Sequence, residues 1–146
     1  MNIDYKINSA SQEKIKSHFL KCDEIFFEQL NNRVNIEEYI KKIFKNAKKI
    51  EAWFDNDLVG LLAMYENFDN NFAFITNFSV DRENKGKGIA LRLLKSSIEC
   101  AEKNGFSEIK LEVNETNIAA ISIYNKIGFK TYKVNGSSKF MRLHLN

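Results

Sequence analysis

A chain of 146 residues with 44% hydrophobic and 28% charged residues has the size and composition of one ordinary globular domain, which excludes a disordered or fibrous polypeptide. Its net charge of +3 admits an anionic ligand, but the lysines are interspersed with acids, which argues against a nucleic-acid surface. Cys22 and Cys100 lie far apart without a CxxC or His-flanked pattern, so free thiols in a reducing compartment are expected.

In chain order, IDYKI (3–7) alternates apolar and polar residues like a short half-buried strand. Ser9 with Gln12 resembles a capping box, and Ile15 and Phe19 then follow at helical spacing. CDEIFFEQLNNR (22–33) has no clean period and reads as a partly ordered loop. Asn35 with Glu38 opens a second helix, carrying Ile36, Tyr39, Ile40, Ile43 and Phe44 on one face. KKIEAWFD (48–55), DLVGLLAMYEN (57–67) and FAFITNFSVD (72–81) are three strand-like runs, antiparallel because asparagine- and aspartate-rich turns join them so closely. A helix after Gly88 runs to Lys103 with a stripe of Leu91, Leu94, Ile98 and Ala101, ended by Asn104 and Gly105. EIKLEV (108–113) is a strand with Ile109, Leu111 and Val113 on one face. A helix over 117–126 closed by Gly128 follows, then KTYKV and KFMRLHL around the turn NGSS (135–138). The chain contains no proline, no internal repeat and no composition break, so 1–146 reads as a single domain. The predicted architecture is α/β: one mixed, mostly antiparallel central sheet of about seven strands flanked by about four helices.

The stretch NKGKGIALRLL (84–94) places two glycines and two lysines directly before an amphipathic helix. Glycine permits positive φ and close approach to bare backbone, and a helix N-terminus carries unpaired N–H groups and partial positive charge. With Lys85 and Lys87 at its rim, the loop is suited to a phosphate or pyrophosphate. It is neither a P-loop, which needs a glycine at the position of Asp81, nor a dinucleotide fingerprint, which needs one at Leu91. Taken alone, the pattern also fits a plain tight turn.

In context, SVDRENKGKGIALRLL resembles the acyl-CoA signature of the GCN5-related N-acetyltransferase (GNAT) family. That pattern is arginine or glutamine, two residues, glycine, one residue, then glycine or alanine. Here it reads Lys85-Gly86-Lys87-Gly88-Ile89-Ala90, with lysine in place of the usual first residue. VNETNIAAISIYNKIGFK (113–130) is similar to the family's second signature, with Asn117, Ala120, Tyr124, Gly128 and Phe129 in its places. The resemblance implies the GNAT acyl-CoA N-acyltransferase fold and acetyl-CoA as co-substrate, with no metal and no covalent intermediate. It implies that Phe78 and Val80 pair their backbone with the pantetheine arm, that amides from Lys85 to Ala90 (including Gly86, Lys87, Gly88 and Ile89) hold the pyrophosphate, and that Asn117 and Tyr124 contact the cofactor from the other side.

Direct transfer to an amine poses two proton problems. An alkyl amine of pKa near ~10.4 attacks only as the free base, and the departing thiolate must be stabilised or protonated. Periodicity alone favours Tyr124 as a core tyrosine packed with Ala120 and Ile127; its place in the family motif reverses that, so by the resemblance it is the candidate acid. Glu112 faces away from Ile109, Leu111 and Val113 and is the candidate base, since LEV before the asparagine–tyrosine motif resembles the ribosomal-protein alanine acetyltransferase branch; the alternative is a solvated strand face. Glu66 and Asn77 are weaker candidates. The resemblance implies that the segment carrying Phe26, Phe27 and Arg33, and the NGSS turn, wall the acceptor site, although residue type alone favours a core anchor for the two phenylalanines and solvated surface for Arg33. His18 and His144 sit in no recognisable site pattern.

The expected acceptor is a primary amine of a small molecule or amino sugar. The alternatives are a protein N-terminus or lysine side chain, or a non-catalytic CoA-binding role. Lys41, Lys45, Lys48 and Lys49 fit the solvent face of the second helix rather than a nucleic-acid stripe. The polar N-terminus and the absence of an apolar run near ~20 residues point away from a membrane and toward the cytoplasm. Family members are often dimers, so the resemblance leaves room for a homodimer.

Overall fold

The computed structural model describes residues 2–22 and 35–146. In chain order they form β1 (Asp4–Ile7), α1 (Gln12–Lys21), α2 (Ile36–Asn46), β2 (Lys48–Phe54), β3 (Asp57–Asn67) and β4 (Phe72–Val80), then a 3₁₀ turn, Arg82–Asn84. There follow α3 (Ile89–Lys103), β5 (Glu108–Asn114), α4 (Ile118–Ile127), β6 (Lys130–Asn135) and β7 (Ser138–His144). The strands make one sheet in the order β1-β2-β3-β4-β5-β7-β6, antiparallel throughout except where β4 meets β5. This is the mixed sheet with flanking helices that the element order predicts.

Both faces of the sheet are covered at its centre. On one, Ile15 and Phe19 of α1 and Ile40 and Ile43 of α2 pack on Trp53, Leu61 and Ala63. On the other, Leu93 and Leu94 of α3 pack on Ile50, Leu62, Met64, Ile109 and Leu111. Because β3 is buried on both sides, its residues 58–64 are buried without interruption, as a strand between two helical layers must be. Gly60 allows α3 to lie close against it: a Cβ there would stand 2.9 Å from Cγ2 of Ile89.

Three expectations shift in register. The helix α1 is capped by Ser11, whose side chain accepts from Lys14 N, and not by Ser9, whose amide is held by the Glu51 carboxylate at 3.0 and 3.1 Å. The buried stripe of α3 is Ile89, Leu93, Leu94, Ser97 and Ala101; Leu91 lies off it, 39% exposed. Lys48 and Lys49 lie in β2, as the strand-like run 48–55 predicts, and not on the solvent face of α2; Lys49 is buried, with Nζ donating to the carbonyls of Phe44 and Ala47 that the end of α2 leaves exposed. The loop expected over 22–33 falls, apart from Cys22, outside the described residues, and Phe26, Phe27 and Arg33 with it.

Candidate active site

The site originates in an irregularity of β4. Its parallel ladder with β5 runs from Phe72–Glu108 to Ile75–Leu111 and stops. The next residue, Thr76, is unopposed on the β3 side, where Met64 pairs with Ile75 and Ala63 with Asn77. One extra residue bends a strand and inverts the alternation of its side chains. Before Thr76, Ala73 and Ile75 join the core beneath α3; after it, Phe78 and Val80 do, while Ser79 reaches His18 on the α1 face. The strands β4 and β5 therefore part, and a cleft of about 650 Å³ lies between β4, the loop before α3, the turn after β5 and α4.

The loop is rigidly founded. Asp81 caps the 3₁₀ turn: its Oδ1 accepts from Asn84 N at 3.0 Å and from Asn84 Nδ2 at 2.7 Å, and its own amide donates to Val59 O at 2.9 Å. The other face of Asn84 accepts from Lys87 Nζ at 3.1 Å. Gly86 and Gly88 take φ of +78° and +81°, which side chains rarely adopt, and a Cβ at either would meet nothing within 4 Å. Among the described residues α1, α2 and α4 begin with side-chain caps from Ser11, Asn35 and Asn117; α3 has no such cap and no acid in its first turn. Its unpaired amides thus face the cleft beside two lysines, where an anion is stabilised. Lys85, Gly86, Gly88, Ile89 and Ala90 line the cleft directly, and Lys87 braces the loop through Asn84.

Phe78, Val80 and Asn117 also line the cleft, although Asn117 spends its side-chain oxygen capping α4, accepting from Ala120 N at 3.3 Å. Tyr124 stands one layer back, 5% exposed, its ring between Phe78 (centroids 6.1 Å apart) and Phe129 (5.5 Å). Desolvation pushes its phenol well above the usual tyrosine range. Glu112 projects from the opposite face of β5, and its Oε2 accepts from Ser138 Oγ at 2.7 Å, tying it to the start of β7. Tyr124 and Glu112 thus flank the open end of β5 from its two faces. Glu66 lies elsewhere: it pairs with Lys48 at 3.4 Å and accepts from Asn104 at the far end of α3.

His18, to which the sequence reading gives no role, is buried at 1% exposure. Its Nδ1 is 3.1 Å from Leu58 O, its Nε2 2.9 Å from Ser79 Oγ and 3.7 Å from Cys22 Sγ, and Ser79 is in turn 2.9 Å from the Asn77 amide. Desolvation lowers the His18 pKa to about 4, against an opposing pull from Asp81. Only the burial of its α1 side had a signal in the sequence: His18 and Cys22 continue the Ile15–Phe19 stripe at helical spacing. Among the described residues, no group of His, Cys, Asp or Glu is arranged to hold a metal ion, and no helix is long and apolar enough to cross a membrane.

The family model for the acetyltransferase (GNAT) family matches residues 13–129. A spermine/spermidine N(1)-acetyltransferase of Bacillus subtilis is 30% identical over 113 residues, covering 68% of this chain and 74% of that protein. N-alpha-acetyltransferase 30 of Schizosaccharomyces pombe is 34% identical over 73 residues, covering 46% of this chain and 49% of that protein. The chain spans half or less of the length of several curated relatives it matches, from 29% to 49%. Among solved structures, the PaiA N-acetyltransferase of Thermoplasma acidophilum in complex with coenzyme A superposes with a TM-score of 0.80 at 20% identity, over 99% of both chains.

Proposed function

The chain belongs to the acetyltransferase (GNAT) family, and we propose that it transfers the acetyl group of acetyl-CoA directly to a primary amine of a small molecule or amino sugar. The observation that carries this reading is the cleft at the parting of β4 and β5, floored by an uncapped helix N-terminus and two positive-φ glycines. Its residues fit the co-substrate. The uncapped start of α3 and the positive-φ glycines before it suit a pyrophosphate, and the edge of β4 at Phe78 and Val80, beyond the end of its ladder with β5, suits an extended amide-bearing arm.

Acetyl-CoA supplies an acyl group already activated as a thioester. The chain's own residues then have three tasks. The cleft aligns the carbonyl and excludes water, which is where proximity contributes most. On the α1 face, Glu112, oriented by Ser138, takes the proton that the ammonium form of the acceptor must lose. On the α4 face, Tyr124 points its retained proton toward the sulfur as the C–S bond breaks and the N–C bond forms. The second amine proton ends on the thiol, so the products are an amide and free CoA.

A second reading is a protein N-terminal or lysine acetyltransferase, supported by the similarity to N-alpha-acetyltransferase 30. Thiol release from acetyl-CoA with spermidine, glucosamine and a short alanyl peptide separates the two. Turnover with a small amine and not the peptide supports the first, and the reverse supports the second. Glu112→Gln should lower kcat/KM by about 10²-fold near neutral pH, and less toward the amine's own pKa, where the free base forms unaided. Absence of thiol release with all three amines would overturn the transferase reading.

A further inference from the structure

The cluster around His18 takes no part in the reaction as derived above, yet it runs from the core to the cleft. The carbonyl oxygen of Leu58, 3.1 Å from Nδ1, can only accept, so the proton of the neutral ring sits on Nδ1 and Nε2 carries a lone pair. Ser79 Oγ, 2.9 Å from Nε2, is then placed to donate to it. In the structure it is the Asn77 Oδ1 that stands 2.9 Å from Ser79 Oγ; a hydroxyl has one proton, so a Ser79 that donates to His18 requires the Asn77 amide rotated by 180°, with its NH2 donating to Ser79. With its proton and one lone pair committed inward, Ser79 retains a lone pair. It lines the cleft between Phe78 and Val80, and Cys22 lines it from the end of α1.

We propose that His18 is a positioning residue that fixes the Ser79 hydroxyl, and that Ser79 Oγ accepts a hydrogen bond from the N–H of the attacking amine. The inference rests on the transferase reading of the cleft. A hydrogen-bonded His–Ser pair buried purely for packing is replaceable by apolar groups at little cost, whereas this pair ends on the cleft surface. His18 orients and does not store the proton. The groups facing it are Lys21 and Cys22 from α1, the Leu58 carbonyl from β3, and Asn77, Ser79 and Asp81 on or just after β4. Of these, Asp81 alone carries a charge favouring an imidazolium, and burial outweighs it.

The test is kcat and KM for acetyl-CoA, using whichever of spermidine, glucosamine and the alanyl peptide is turned over fastest. It compares wild type with Ser79→Ala, Ser79→Thr, His18→Asn and the His18→Asn/Ser79→Ala double variant. Ser79→Ala is expected to lower kcat about tenfold with KM for acetyl-CoA nearly unchanged, and Ser79→Thr to restore it. The double variant should lose no more than the worse single variant. Imidazole ¹⁵N spectra give a readout independent of turnover, because the chain has only two histidines, His18 and the exposed His144. His18 should show the Nδ1–H tautomer, and its Nε2 resonance should move in Ser79→Ala. An unchanged kcat in Ser79→Ala, or losses that multiply in the double variant, would overturn the proposal while leaving the transferase reading intact. Wild type inert toward all three amines would remove both.

Discussion

The phenol of Tyr124 is held protonated by desolvation far above neutral pH. An ordinary thiol has a pKa near ~8.5, so complete proton transfer from such a phenol to a thiolate runs uphill. Its useful role is a hydrogen bond that strengthens as charge grows on sulfur. Loss of one preorganised donor of that kind costs about 10²-fold or more in rate. Tyr124→Phe should therefore lower kcat by about 10²-fold while leaving KM for acetyl-CoA and the melting temperature unchanged, because the ring keeps its packing against Phe78 and Phe129. Kinetics that match wild type would place Tyr124 in the core alone. His18 makes a separate prediction about stability. Its folded pKa, about 4, lies below the unfolded value of 6.5, so between those values the unfolded chain binds the extra proton. Stability is unaffected above pH 6.5 and falls as pH drops through that window, by up to ~1.4 kcal/mol per pH unit. Urea unfolding across the window should show that slope in wild type and lose it in His18→Gln; equal slopes would mean that His18 titrates in the native state.

At the level of elements, α3 is set by Gly60. A methyl group there would meet Ile89 Cγ2 at 2.9 Å and Leu93 Cδ1 at 3.1 Å, both in the first turns of the helix that floors the cleft. Gly60→Ala should thus cost about 1–3 kcal/mol by overpacking and weaken CoA binding through displacement of the α3 N-terminus. Calorimetry showing full affinity in a destabilised variant would separate the two effects. The same helix shows what the sequence made legible. The glycine–lysine pattern located its start because a positive-φ turn has a composition signal, and the asparagine–tyrosine motif located α4 for the same kind of reason. The buried stripe of α3 was read out of phase because Leu91 is apolar yet turned to the cleft side, where no core covers it. The false cap at Ser9 has a tertiary cause: Glu51, more than forty residues away, takes the amides of Ser9 and Ala10. The bulge at Thr76 has no glycine or proline to announce it, so neither the reversal of alternation in β4 nor the contact of Ser79 with His18 could be read from spacing.

For the molecule as a whole, the sheet is two antiparallel blocks, β1–β4 and β5–β7–β6, joined by a parallel ladder of four residue pairs and by the core under α3. The cleft lies on that seam, with β4 and the glycine loop on one wall and the β5–α4 turn on the other. A ligand that spans it cross-links the blocks in the native state only, and so raises stability by mass action, about 2.7 kcal/mol at a hundred times its dissociation constant. For a domain of this size that corresponds to a rise in melting temperature of roughly 5–15 °C. Acetyl-CoA and CoA should both produce it at saturation. ATP, which offers phosphates to the loop but no arm to run along the parted edge of β4, should give a much smaller rise. A comparable shift with ATP would mean that the glycine loop alone recognises its ligand and that the seam contributes nothing. No shift with either CoA species would show that the lysine-headed loop does not hold the pyrophosphate at all.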